Sequence, residues 1–283
     1  YQKDAAGIEI IVPPIQDQRA IANLFAHETE QIDGLIAEQV RLMDLLRERA
    51  TAVVVAALAP QGGWVASRIK HFAETSLGKM LDAGRAPRPG DVPTSYVRAA
   101  DVLADGSVNF SHLNEMTFSV EEIERLDLRA GDVLIIEGGA TVGRPGFVTS
   151  DVPGVSFQKT VNRVRTTAAD PRFLYWSMRS LYDSGFYNSY YGSVSFAHLT
   201  GEKLREISLW LPSIEQQRTI ARRLDELTLK IDVLIKEAES LIQMARERRS
   251  ALITAVVTGQ ADVRRAARPP AIRRVSRQDG HDG

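Results

Sequence analysis

The chain has 283 residues, 44% hydrophobic and 25% charged, with 35 Lys and Arg against 36 Asp and Glu, a formal net charge of -1. That apolar share supports packed cores and excludes global disorder, and the even balance excludes a uniformly basic nucleic-acid coat while leaving room for a basic face. Cysteine is absent, which excludes disulfide frameworks, cysteine zinc sites and thiol catalysis, and fits a cytoplasmic location. The longest largely apolar run, residues 50–59, falls well short of the roughly 20 residues of a membrane span. The first residue is Tyr1 and no basic leader precedes a hydrophobic stretch, so the sequence is expected to be a fragment or processed form.

An internal repeat organises the chain. Residues 12–58 align with residues 211–257 without a gap, at a constant offset of 199, and 18 of the 47 positions are identical. Pro13 matches Pro212, Gln18 matches Gln217, Ile32-Asp33 matches Ile231-Asp232, and Arg47-Glu48-Arg49 matches Arg246-Glu247-Arg248. Copies this far apart are not a stacked solenoid; they are two equivalent arms flanking an unrelated insert. Each arm predicts one long helix. A heptad-like seam is expected through Ile32, Leu35, Leu42, Leu46 and Val53 in the first, and through Ile231, Leu234, Leu241 and Leu252 in the second. The first helix is expected to stop at Ala59-Pro60-Gln61-Gly62-Gly63 and the second near Gly259. One helix enters the insert and the other leaves it, which predicts an antiparallel pair.

The insert has single-domain length and a mixed pattern. Val133-Leu134-Ile135-Ile136 predicts a buried strand, residues 161–164 another, and residues 171–182 a helix with Phe173, Trp176 and Leu181 on one side. The fold class is therefore α/β (α+β), a domain inserted between two long helices that form an antiparallel coiled coil. Charge is uneven within it. Residues 68–98 carry six basic and three acidic groups, residues 115–137 two and seven, and residues 144–179 six and two. Such segregation predicts one basic and one acidic face. The candidates for contacting phosphates or bases are Lys79, Arg85, Arg88, Arg98, Arg144, Lys159 and Arg163, with Tyr96, Asn162, Tyr190, Tyr191 and Ser193 as groove contacts. The tail from residue 263 has six Arg, two acids and Pro269-Pro270, and disorder is expected there.

Catalytic patterns are missing. Gly138-Gly139-Ala140-Thr141-Val142-Gly143-Arg144 has phosphate-loop spacing, but Arg144-Pro145 stands where Lys and Ser or Thr are required, so it is read as a tight turn. The five histidines are dispersed, with no metal-ligand spacing. No GxSxG elbow occurs, and Phe157 replaces the second carboxylate of a nuclease-like Asp151…Lys159 pattern. No enzyme activity and no metal are expected of this chain.

Leu211-Pro212-Ser213-Ile214-Glu215-Gln216-Gln217-Arg218, followed by Leu224-Asp225, Ile231-Asp232 and residues 246–259, resembles the C-terminal conserved region of type I restriction-modification specificity subunits. Residues 13–56 resemble the central conserved region of that family. Trp64, Gly131-Asp132-Val133-Leu134, residues 139–144, Phe157-Gln158-Lys159 and Phe173-Leu174-Tyr175-Trp176 resemble landmarks of its target-recognition domain. The resemblance implies the end of an upstream recognition domain at 1–14, conserved helices at 15–59 and 211–262, a DNA target-recognition domain at 60–210, and a basic tail from 263. It further implies double-stranded DNA as ligand, one half of a split target per recognition domain, and modification and restriction subunits as partners. S-adenosylmethionine would belong to the modification subunit, and a form with one recognition domain would pair with a second copy. A coiled-coil tether carrying a protein-binding domain is the alternative; it predicts no sequence-dependent DNA affinity.

Overall fold

The structure is a computed structural model and describes residues 12–80, 89–187 and 198–258. In chain order its elements are α1 (Ile15–Ala57), β1 (Val65–Arg68), β2 (Ala73–Leu77), β3 (Val92–Val97), β4 (Asn114–Phe118), α2 (Val120–Arg125), β5 (Val133–Ile136), β6 (Pro145–Phe147), β7 (Val155–Phe157) and β8 (Val161–Thr166). Then follow α3 (Pro171–Asp183), α4 (Gly201–Glu206), β9 (Ser208–Leu211) and α5 (Ile214–Val257). The chain divides into two compact units, Arg47–Ile231 and, separately, Tyr1–Leu46 with Asp232–Gly283. No helix among the described residues is long and apolar enough to cross a membrane.

The larger unit is built on three sheets. A four-stranded antiparallel sheet has the order β2-β8-β5-β6, a three-stranded sheet the order β4-β3-β7 with β3 and β7 parallel, and β1 pairs with β9 as a two-stranded ribbon. The apolar run of β5 is explained by burial on both faces. Val133 and Ile135 join a core with Phe173, Leu174, Trp176 and Met178 of α3, while Leu134 and Ile136 join a second core with Tyr96, Val97, Phe118 and Phe157. All four β5 side chains are fully buried, each stabilising the fold by about 1.5–3 kcal/mol relative to exposure. Helix α3 starts where Asp170 accepts the Phe173 amide (2.9 Å) and Pro171 fills the first turn. Helix α2 starts on a reciprocal cap between Ser119 and Glu122.

The ends of the long helices belong to this unit as well. Val53, Val54, Ala57 and Leu58 of α1 and its exit pack with Ile220, Ala221 and Leu224 of α5 on the α3 core. Gln217 is buried; its amide donates to Pro212 O (2.8 Å) and its oxygen accepts the Asp170 amide (2.9 Å). Asp225 accepts from Arg172 Nε (2.7 Å) and Trp176 Nε1 (2.8 Å). The α3 cap is thus tied directly to α5.

In the other unit α1 and α5 run antiparallel. Met43 lies with Ala238 and Ile242, flanked by Ile36 and Ile235, while Glu28 pairs with Arg248 (3.0 Å) and Asp33 with Arg249 (3.4 Å). The line of buried and half-buried residues alternates spacings of three and four: Ile32, Ile36, Gln39, Met43 and Leu46 on α1, and Ile231, Ile235, Ala238, Ile242 and Ala245 on α5. These are heptad positions a and d, and Val53 and Leu252 fall on the same line. The expected seam is corrected at four positions. Leu35, Leu42, Leu234 and Leu241 stand one residue before a, at position g, and are 41–46% exposed. Each is half of an apolar doublet (Leu35-Ile36, Leu42-Met43, Leu234-Ile235, Leu241-Ile242), and the second member takes the seam. In an antiparallel pair the g positions of both helices share one side, as the Glu28–Arg248 pair shows. The four leucines therefore form one apolar face, whereas the opposite side carries Asp33, Asp232, Glu239 and Arg246 beside Val40.

Candidate functional site

The strand register gathers several loops at one edge of the four-stranded sheet. The ends of β2 and β5 and the start of β8 coincide there, with Leu77 beside Asn162 and Ile136 beside Val161. Main-chain bonds extend the edge outward: Lys159 N to Lys79 O (2.8 Å), Glu137 N to Thr160 O (2.9 Å) and Leu199 N to Glu137 O (2.7 Å). Described parts of four connections lie at this edge, at residues 78–79, 137–144, 158–160 and 198–199. Gly78 is required by proximity, since a Cβ there would lie 2.3 Å from Gln158 O.

The glycine-rich segment is a turn, as its missing lysine indicated. Gly143 has φ +82° and donates to Ile136 O (2.9 Å), and a Cβ on it would enter the Tyr187 ring at 2.1 Å. Tyr187 is 1% exposed, so the ring has no room to retreat. Gly143→Ala is therefore expected to destabilise the domain by about 2 kcal/mol or more through combined backbone strain and overpacking. Chemical unfolding checks this; a change below about 0.5 kcal/mol would show that the Tyr187 ring is loosely held.

The proposed contact residues separate into distinct environments. Arg85, Arg88, Tyr190, Tyr191 and Ser193 lie outside the described residues, in segments 81–88 and 188–197, both of which are joined to this edge by chain connectivity. Lys159 is half-buried at the same edge and makes no ion pair among the described residues. The other basic candidates are engaged within the domain. Lys79 pairs with Glu122, the capping residue of α2, and lies over the Phe118 ring. Arg98 grips both oxygens of Asp101 at 3.0 Å, a bidentate pair that holds its charge in place. Arg144 donates to Val102 O (3.4 Å) and faces the Tyr182 ring.

Tyr96, Asn162 and Arg163 are inside the domain, at 4%, 0% and 4% exposure. Arg163 bonds Asp127 Oδ1 (2.9 Å) and Ser76 Oγ (3.2 Å), and Asn162 Nδ2 bonds Leu199 O (2.9 Å). Arg165 completes a network by clamping Asp132 at 2.7 and 2.8 Å and reaching Asp127 at 3.1 Å. For these three the expected surface role is corrected to a structural one, because β3 and β8 turn their side chains into the domain. Burial alone would raise the Asp127 carboxyl, but the hydrogen bond from Arg129 and the charge of Arg165 outweigh it and hold the group below the usual carboxylate range. No cluster of three or more potential metal ligands occurs among the described residues. Gln217 and Asp225, which anchor α3 to the helix arm, stand in the sequence only as a repeat match and a family landmark, with no role assigned to either.

Residues 61–242 match the family described as the type I restriction modification DNA specificity domain, and the chain belongs to that family. Among its relatives is the type I restriction enzyme EcoBI specificity subunit of Escherichia coli, 22% identical over 286 residues, covering 92% of this chain and 60% of that protein. The chain thus spans about 60% of the length of this curated relative. A chain from a structure of complex assembly and conformational transition of the type I R-M system shares the fold with a TM-score of 0.71 at 16% identity, covering 89% of this chain and 62% of that one. The HsdS subunit from Thermoanaerobacter tengcongensis is similar at TM-score 0.54 and 15% identity, over 89% of this chain and 60% of that one.

Proposed function

We propose that the chain is a DNA sequence-specificity component of a type I restriction-modification system, working in the cytoplasm, with the loop edge of its four-stranded sheet as the reading surface. The observation that carries this is that Lys159 stands at the edge from which the chain departs after residue 80, toward Arg85 and Arg88 in sequence, and which it rejoins at residue 198, after Tyr190, Tyr191 and Ser193 in sequence. Cationic side chains neutralise phosphates and set the register, while Tyr, Ser and Arg on loops reach base edges. One such domain reads one half of a split target. The helix pair holds modification subunits, which carry S-adenosylmethionine and act on the extruded adenine; restriction subunits join the same assembly, and two copies of this chain supply two half-sites.

Co-expression with a modification subunit from the same source, followed by methylation mapping, tests this reading. A new interrupted adenine motif is expected, palindromic if two copies pair, and absence of any motif from an intact complex counts against it. Within the reading surface, Lys159→Ala is expected to lower DNA affinity for all sequences and to reduce the slope of log affinity against log salt by about 1. An unchanged slope removes Lys159 from the surface.

A further inference from the structure

The repeat allows one end of the helix pair to be compared with the other, and they differ in two charged pairs: Asp33–Arg249 has Ala50 at the position equivalent to Arg249, and Glu28–Arg248 differs on the acid side. Arg248 and Arg49 are the same repeat position, both at heptad position g. Arg248 has its carboxylate, Glu28, at 3.0 Å. The residue equivalent to Glu28 in the other arm is Leu227, so Arg49 lacks the acid its twin has and makes no ion pair among the described residues. Arg49 and Leu227 both line a groove of about 850 Å3 in the larger unit. Its apolar floor comprises Val53, Ala57, Trp64, Ile220 and Leu224, and Arg223 stands at the rim as a second cation with no described ion pair. The position equivalent to Arg223 is Leu24, and that equivalent to Gln216 is Asp17, while Glu215 in place of Gln16 runs the other way. On balance the substitutions move this groove toward positive charge relative to its counterpart.

We propose that this groove receives an apolar segment of the modification subunit flanked by carboxylates, one of which takes the position at Arg49 that Glu28 occupies at Arg248. A largely apolar floor favours a peptide over a nucleic-acid backbone, and Glu215 at the rim opposes phosphate. The inference rests on the assembly proposed above for the identity of its partner.

The test titrates the modification subunit against the whole chain. Leu227→Glu supplies Arg49 with the internal partner that its twin has, and is expected to weaken binding on the order of tenfold. Leu227→Gln removes the same apolar contact without neutralising Arg49 and is expected to weaken binding less. Arg49→Glu with Arg223→Glu, both at exposed positions, is expected to weaken it further, with helical circular dichroism unchanged in every case. Equal effects of the Glu and Gln variants, or wild-type binding by the double Arg variant, would overturn the proposal. Intact assembly with reduced DNA affinity and salt slope would overturn it in favour of a phosphate site. Failure of the wild-type chain itself to bind would count against the assembly rather than the groove.

Discussion

Asp132→Ala is expected to cost the recognition domain about 3–5 kcal/mol, the largest effect of any single polar substitution in it. Asp132 is 1% exposed, accepts two bonds from Arg165 at 2.7 and 2.8 Å and a third from the Arg129 amide at 2.8 Å. Its removal leaves the Arg165 guanidinium without its main counterion and the Arg129 amide without its acceptor. Urea unfolding measures this; a cost below about 1 kcal/mol would mean that water replaces the carboxylate. Arg163→Ala acts on the same network and is expected to be a folding defect that leaves the salt slope of the surviving folded protein unchanged, the reverse of Lys159→Ala. The network also sets an acid limit. Because the Asp127 carboxyl is lowered in the folded state, its contribution is full above the unfolded value near 3.9 and is lost as pH falls through the lower folded value.

The second large effect is on assembly. On the proposed assembly, with the leucine face as the side that the modification subunit covers, Leu35→Glu combined with Leu241→Glu is expected to leave the helix pair folded, since both side chains are more than 40% exposed, and to abolish co-purification with that subunit. Four half-exposed leucines, once covered, contribute on the order of 4 kcal/mol, nearly a thousandfold in affinity. Val40→Glu is the control: Val40 is 44% exposed but lies on the opposite side of the seam. Equal losses from Val40→Glu and from the double leucine variant would remove the leucine face as the docking side.

How much of this was legible in the sequence differs between the parts. The two helices were, because a gapless repeat with heptad spacing has few other solutions, and so was β5, whose four apolar residues had to be covered on both faces. Four of the nine expected seam positions were displaced by one residue, because the doublets such as Leu42-Met43 make positions g and a equally apolar and only the partner helix decides between them. For the proposed site the sequence offered candidate residues but not their environments. Arg163 and Lys159 are alike in composition, four positions apart; what separates them is Asp127, more than thirty residues away, which the fold brings against one and not the other. Charge in a sequence carries no record of its counterion.

The seam has a consequence for descent. Ile36 and Met43 of α1 meet the chain's own repeats of themselves, Ile235 and Ile242, which is the self-complementary contact that two identical subunits make about a two-fold axis. In a true homodimer every substitution falls on both ends at once. Joined in a single polypeptide, the two ends vary independently, and a glutamate can be kept at 28 while its image at 227 becomes leucine. Such a molecule keeps the geometry of a symmetric pair while presenting two unlike ends.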